Sequence, residues 1–325
     1  MLFSNSSKDY NHCHGCGLCA LVCPVWQQHR DVCYTPHGHA KSLQYGGKIH
    51  AHALYSCFLC GACASICPEN IDLIEMLTML RRKAVTNGDQ ETANKRIQAL
   101  LLDEQQRIRP ASSEAANLLL AGKTLRKNEE LLNKIITLLD SDSKVALADD
   151  DGWDITLALE AGVEIPNARL QQFLKSVQKT SLLIVSDGLL KHALHKWLPQ
   201  IKIATLGQAL SSLKRIRRQL RHTDLYVIES RAYHTDFDTL VTHYDELQRA
   251  HGCELNLDLQ RLAIPTGGVG GNAFSHAKNF DTRAQGDWIL AGKTIDRIVV
   301  ENLEDGAVMA KVCDKPVVHI AELNA

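Results

Sequence analysis

CHGCGLCALVCP, residues 13–24, and CFLCGACASICP, residues 57–68, hold eight of the chain's 11 cysteines. Both space their thiols C-x2-C-x2-C-x3-C, and both put a proline directly behind the last one. The first run is Cys13, Cys16, Cys19 and Cys23 with Pro24; the second is Cys57, Cys60, Cys63 and Cys67 with Pro68. The opening residues, MLFSNSSKDY, have neither the basic start nor the apolar stretch of a secretory leader, so a cytoplasmic location is expected. In a reducing compartment, thiols this crowded point to metal rather than to disulfides.

That spacing is the ligand run of a protein holding two [4Fe–4S] clusters. A tight loop aims every third side chain inward, so three thiolates can surround one cubane. Gly15, Gly17 and Gly61 permit close backbone approach and unusual φ values. The fourth cysteine starts the exit helix, and in this arrangement it serves the other cluster. The expected ligand sets are therefore Cys13, Cys16, Cys19 and Cys67 for the first cluster, and Cys57, Cys60, Cys63 and Cys23 for the second. The competing assignment is zinc in paired C-x2-C knuckles, which makes no use of the third cysteine or the trailing proline. Two clusters side by side make a route for single electrons, whereas one alone could be structural or a sensor.

The chain's 325 residues suggest two domains. A formal charge of −1 gives no argument for nucleic acid or an anionic membrane. No apolar run approaches the ~20 residues of a spanning helix. Behind the second motif, ENIDLIEMLTMLRRKAV reads as a helix with Ile71, Ile74, Leu77 and Leu80 on one face and a solvated Arg81, Arg82 and Lys83 near its end. KRIRR at 214–218 reads as another solvated helix face. In 89–142 the sequence is helical and polar, with Leu131, Leu132, Ile135, Leu138 and Leu139 on one face. From 143 onward, short β-rich runs (KVALAD, SLLIVSD, IKIATL, DLYVIES, DRIVVEN, PVVHIAEL) alternate with helical ones, which implies parallel sheet. The fold class expected is α+β overall. An α-helical dicluster ferredoxin domain spans 1–88, a helical connector 89–142, and an α/β domain pair 143–325, with repeats near 143–222 and 223–325.

The two cysteine runs, the TPHG phrase at 35–38 and the helix behind the second motif resemble the iron–sulfur subunits of glycolate oxidase, lactate utilisation, anaerobic glycerol-3-phosphate dehydrogenase and heterodisulfide reductase. In that family an arginine stands where this chain has His37. The resemblance implies that 143–325 is a pair of CCG-type domains. ESRAYH (229–234), IPTGGVGGN (264–272), VVENLEDGAV (299–308) and VVHIAEL (317–323) match the family's phrases in order, and Gly268, Gly270 and Gly271 match its glycines. Thr266 and Gly267 occupy the places of the paired cysteines, so the pair is expected to have lost its ligands. Hydroxyl is a poor substitute for thiolate at a soft-metal site.

The resemblance implies an electron-transfer subunit, itself non-catalytic. It would carry electrons from a flavin-dependent dehydrogenase or electron-transfer flavoprotein to a quinone, a cytochrome or another iron–sulfur protein. Through such a partner it could sit at the inner face of the membrane. A redox-sensing or assembly module that binds its partner through the C-terminal domain is the alternative. Cys33 with His37 and His39 falls short of a closed metal site. Cys253 and Cys313 read as inert core thiols. Seven of the 15 histidines precede residue 53 and could surround the clusters.

Overall fold

The computed structural model describes residues 8–88, 101, 115–269 and 280–324. The N-terminal part is built of helices: α1 (Leu18–Leu21), α2 (Pro24–His29), α3 (Pro36–Gln44), α4 (Ala51–Tyr55), α5 (Ala62–Ser65) and α6 (Leu73–Thr86). Side-chain caps fix where two of them start. Thr35 accepts from the Gly38 N–H at the head of α3, and Asp72 accepts from the Glu75 N–H at the head of α6.

Two four-stranded sheets follow, every pair parallel. The first has the order β2-β1-β3-β4, from β1 (Asn117–Leu120), β2 (Val145–Leu147), β3 (Leu182–Val185) and β4 (Lys202–Thr205). The second has the order β6-β5-β7-β8, from β5 (Asp224–Val227), β6 (Glu254–Leu255), β7 (Arg297–Val300) and β8 (Val317–His319). The two orders are the same topology. The connections repeat as well. β1 leads into a short helix, α7 (Gly122–Arg126), and a 15-residue one, α8 (Glu129–Ser143). Between β2 and β3 lie α9 (Trp153–Ala161) and α10 (Asn167–Val177), and β3 feeds α11 (Gly188–Trp197). After β4 come α12 (Leu206–Ser211) and α13 (Lys214–Arg217). β5 leads into the short α14 (Ser230–Thr235) and the 15-residue α15 (Phe237–His251). α16 (Thr282–Leu290) precedes β7, and α17 (Leu303–Val312) follows it.

The expected connector therefore needs correcting. Residues 117–120 form an inner strand of the first sheet, and 129–143 form a helix that packs on that sheet. Leu118 and Leu120 enter one core layer with Leu183, Val185 and Phe173, while Leu119 enters the opposite layer with Ile135 and Ile184. A strand buried on both faces shows no alternation, and leucine is a good helix former, so NLLL carries no strand signal of its own. Leu131, Leu132, Ile135, Leu138 and Leu139 of α8 are all buried, as their spacing predicts. The rest of the expected connector, 89–100 and 102–114, lies outside the described residues, as do Gly270 and Gly271.

One core layer joins the two sheets, with Leu119 and Ile135 from the first half meeting Tyr226, Tyr244, Val299 and Ile320 from the second. The N-terminal part docks on α9 and α11 through Leu77, Leu80, Leu157, Ala158, Ala161 and Leu189. Gly162 makes that approach possible. Its φ is +74°, and a Cβ there would lie 2.4 Å from the Arg81 carbonyl carbon. Among the described residues no helix is long and apolar enough to cross a membrane.

A buried ion triad ties α10 to the first turn of α9 and to the loop ahead of it. Arg169 donates to both oxygens of Asp154 at 2.7 Å and to both oxygens of Asp150 at 2.8 Å. Arg169→Met would leave two carboxylates buried without their guanidinium. The expected loss is ~3–5 kcal/mol in chemical denaturation; a loss under ~1 kcal/mol would show that the triad contributes little.

Candidate iron–sulfur site

Both cysteine runs fold into the same loop-then-helix turn. In the first, Gly15 and Gly17 have φ of +82° and +79° ahead of α1, which carries Cys19. In the second, Leu59 and Gly61 have φ of +54° and +84° ahead of α5, which carries Cys63. Leu59 thus takes the left-handed conformation that glycine takes in the first loop, at a cost of about 1–2 kcal/mol. Its side chain is buried among Ile71, Ile74 and Leu77, which offsets that strain. Cys23 caps α2 with Pro24 at its first turn, as expected of an exit cysteine. Cys67 differs: a short turn through Asn70 separates it from α6.

Electrostatics show which thiols are neighbours. Burial pushes the Cys19 thiol up to about 11, and the charges of Cys13, Cys16 and Cys67 push the same way. Burial also raises Cys23, with Cys57 and Cys60 adding to the rise. Cys60 is pushed up to about 12 by burial and by Cys57. Cys63 is raised well above its ordinary value by burial and then by Cys60, Cys57, Cys23 and Cys19. Cys19 thus feels Cys13, Cys16 and Cys67, Cys23 feels Cys57 and Cys60, and Cys63 feels thiols of both runs, Cys19 and Cys23 included. The runs differ in depth: Cys16 is exposed, whereas Cys60 and Cys63 are buried.

A [4Fe–4S] group suits this donor set. Soft sulfurs held this close repel one another as thiolates, and an iron-rich group relieves that repulsion. Backbone N–H groups already point at sulfur. The Leu59 N–H donates to Cys57 Sγ at 3.3 Å, and the His37 and Ala62 N–H groups stabilise the Cys19 and Cys60 thiolates. Among the described residues, no three Cys, His, Asp or Glu side chains converge closely enough for a single metal ion.

The second loop is also held from outside, by donors on three consecutive or near-consecutive carbonyls. Arg81 of α6 donates to the Cys57 carbonyl at 2.6 Å and to the Leu54 and Glu160 carbonyls. Arg231 of α14 donates to the Phe58 carbonyl at 2.7 Å and to Glu160 Oε1 at 3.0 Å. His234 Nδ1 donates to the Cys60 carbonyl at 2.8 Å, because its Nε2 accepts from the Ala263 N–H. A Cβ on Gly61 would lie 2.8 Å from His234 Cβ, so α14 rests directly on this loop. Arg81 corrects the expectation of a solvated RRK run, since it is 1% exposed. The signal was present: residue 81 is seven past Ile74 and four past Leu77, on the buried stripe. KRIRR is mixed, with Ile216 buried and Arg215 donating to the Leu138 carbonyl and Ser141.

The remaining candidates separate. Cys33 is exposed, while His39 is buried toward Arg81 and held down to about 4 by burial. The His37 side chain lies against Gly15. Cys253 is buried and Cys313 half-buried.

Where the resemblance places lost ligands, the second sheet gathers buried polar groups at the C-terminal ends of its strands. Thr266 donates to Asp305, and the Gly268 N–H donates to Thr266. Glu301 accepts from the Tyr226 and Tyr244 hydroxyls and from the Glu229 N–H, and His319 Nε2 donates to the Glu301 carbonyl.

Residues 9–71 match a family model described as a 4Fe-4S dicluster domain. Comparison with curated proteins and with solved structures returns no match. The N-terminal part is thus an iron–sulfur, ferredoxin-like domain of 4Fe–4S type, followed by two parallel sheets.

Burial lifts the Glu301 carboxyl from near 4.5 to about 7. A raised carboxyl contributes stability that is present in full below pH ~4.5 and is lost as pH rises through ~7. His319, held neutral at about 4 by burial, acts in the opposite sense, losing its contribution as pH falls. Comparing the native chain with Glu301→Gln isolates the carboxyl. Between pH 4.5 and 7.5 the native chain should lose on the order of 3 kcal/mol more than the variant in thermal or chemical unfolding; parallel pH curves would contradict this.

Proposed function

We propose that this chain is an iron–sulfur electron-transfer subunit that holds two [4Fe–4S] clusters. Cys13, Cys16, Cys19 and Cys67 hold one, and Cys57, Cys60, Cys63 and Cys23 hold the other. The observation that supports the reading is that Cys67 is among the thiols that raise Cys19, and Cys57 and Cys60 are among those that raise Cys23. When bound, such groups supply one-electron storage and transfer. The chain supplies the rest: deprotonated sulfur, N–H donors to it, exclusion of water from Cys60 and Cys63, and an outward face at Cys16.

The partners follow from this chemistry and from the family resemblance. A flavin-dependent dehydrogenase or electron-transfer flavoprotein delivers single electrons, and a quinone, a cytochrome or another iron–sulfur protein takes them up. We read the two sheets as a degenerate CCG-type pair, supported by their shared strand order and by the gathering of Glu229, Thr266, Glu301 and His319 in the second. Hydroxyl and carboxylate in place of thiolate leave that half without a soft-metal site, and it serves as a rigid platform behind the second loop.

Anaerobic preparation followed by iron and sulfide counting tests the reading. About eight irons per chain are expected, with paramagnetic signals appearing on reduction with dithionite. Zinc in their place, or far less iron, would overturn it.

A further inference from the structure

Resting on that reading, we propose that Arg81 and Arg231 are positioning residues that set the reduction potential of the second cluster, the one held by Cys57, Cys60, Cys63 and Cys23. The two guanidiniums reach this loop from different halves of the chain, Arg81 from the helix behind the motif and Arg231 from the second sheet's first helix. Each ends on a carbonyl of the loop: Cys57 for Arg81 and Phe58 for Arg231. Both are buried, at 1% and 3% exposure.

The physical need is plain. Reduction adds negative charge to a site whose Cys60 and Cys63 are already buried among thiolates. Burial alone would therefore push the potential down and strand the electron on the exposed first cluster. A guanidinium stays charged at every physiological pH, and in a low-dielectric interior its field on a neighbouring site is several times stronger than in water. Donors that draw on the loop carbonyls also hold the opposite side of each peptide, the N–H side, toward sulfur, as the Leu59 N–H bond to Cys57 illustrates. The first loop has a weaker counterpart: Lys41, partly exposed, donates to the Cys13 carbonyl. His234 completes the clamp as a neutral donor and adds no charge.

Glu160 makes the effect separable from mere structural support. Its carboxylate lies 3.0 Å from Arg231, with Asp187 further off at 3.9 Å, and it partly cancels the cation. Removing the cation and removing its counter-charge should move the second cluster in opposite directions. Damage to packing has no reason to do so.

The test is a redox titration of the full-length, anaerobically prepared chain, following both centres by EPR. Arg231→Gln should lower the potential of the second centre by about tenfold in its reduction equilibrium, ~59 mV for one electron. Arg231→Lys should restore part of the shift. Glu160→Gln should raise the same potential, and the first centre should stay put in all three. The inference is overturned if both charge variants move the second centre the same way, or if neither moves it while iron content is intact. Should Arg231→Gln fail to fold, Glu160→Gln decides alone: an upward shift supports the inference and an unchanged potential overturns it. Absence of iron from the native chain would instead count against the cluster reading itself.

Discussion

In the proposed arrangement neither cysteine run completes a site by itself. In that arrangement Cys67 joins the first three thiols of the other run and Cys23 the first three of its counterpart, so each exit cysteine would tie the two loops together; the thiols that raise Cys19 and Cys23 include ones from the opposite run. Thiols brought this close raise one another's pKa, and burial raises them further. Left bare, such a pair of sites would be a standing electrostatic cost; filled with a cation-rich group, the same repulsion becomes binding energy. The short helices α1 and α5, which carry Cys19 and Cys63, pack together.

The C-terminal half is tied to this seam by its own polar groups. α14 rests on the second loop through Arg231 and His234, Phe280 packs edge-on against Phe58, and Gln28 exchanges two hydrogen bonds with the Asp281 backbone. The second sheet therefore contributes to the environment of thiols more than 160 residues away in sequence, with the hydrogen bond from Arg231 to Phe58 spanning 173 positions. Its duplicated topology gives two similar scaffolds, both with buried carboxylates, and the second touches the cysteine loop through α14.

Much of this was legible in the residues. Spacing alone pointed to the two loops and to the positive φ at Gly15, Gly17 and Gly61. The alternation of β-rich and helical runs pointed to six of the eight strands, since the short β6 at Glu254–Leu255 hides in CELNLD and β1 in NLLL. Those two escaped for different reasons: β6 is only two residues long, and β1 is buried on both faces and made of a helix former. Leu59 was illegible because nothing in a leucine announces a left-handed backbone; only its alignment with Gly15 does. Arg81 was misread by composition, since a run of three cations suggests solvent, although its place on the apolar stripe of α6 suggested the interior.

The pairing of cysteines can be read directly from iron counts in double variants. Cys16→Ser with Cys67→Ser should damage one site only, leaving about four irons per chain, and Cys60→Ser with Cys23→Ser should do the same. Cys16→Ser with Cys23→Ser should damage both and leave far fewer. If that last pair retained about four irons while Cys16→Ser with Cys67→Ser lost nearly all, each run would be holding its own group, and the crossed arrangement would be wrong.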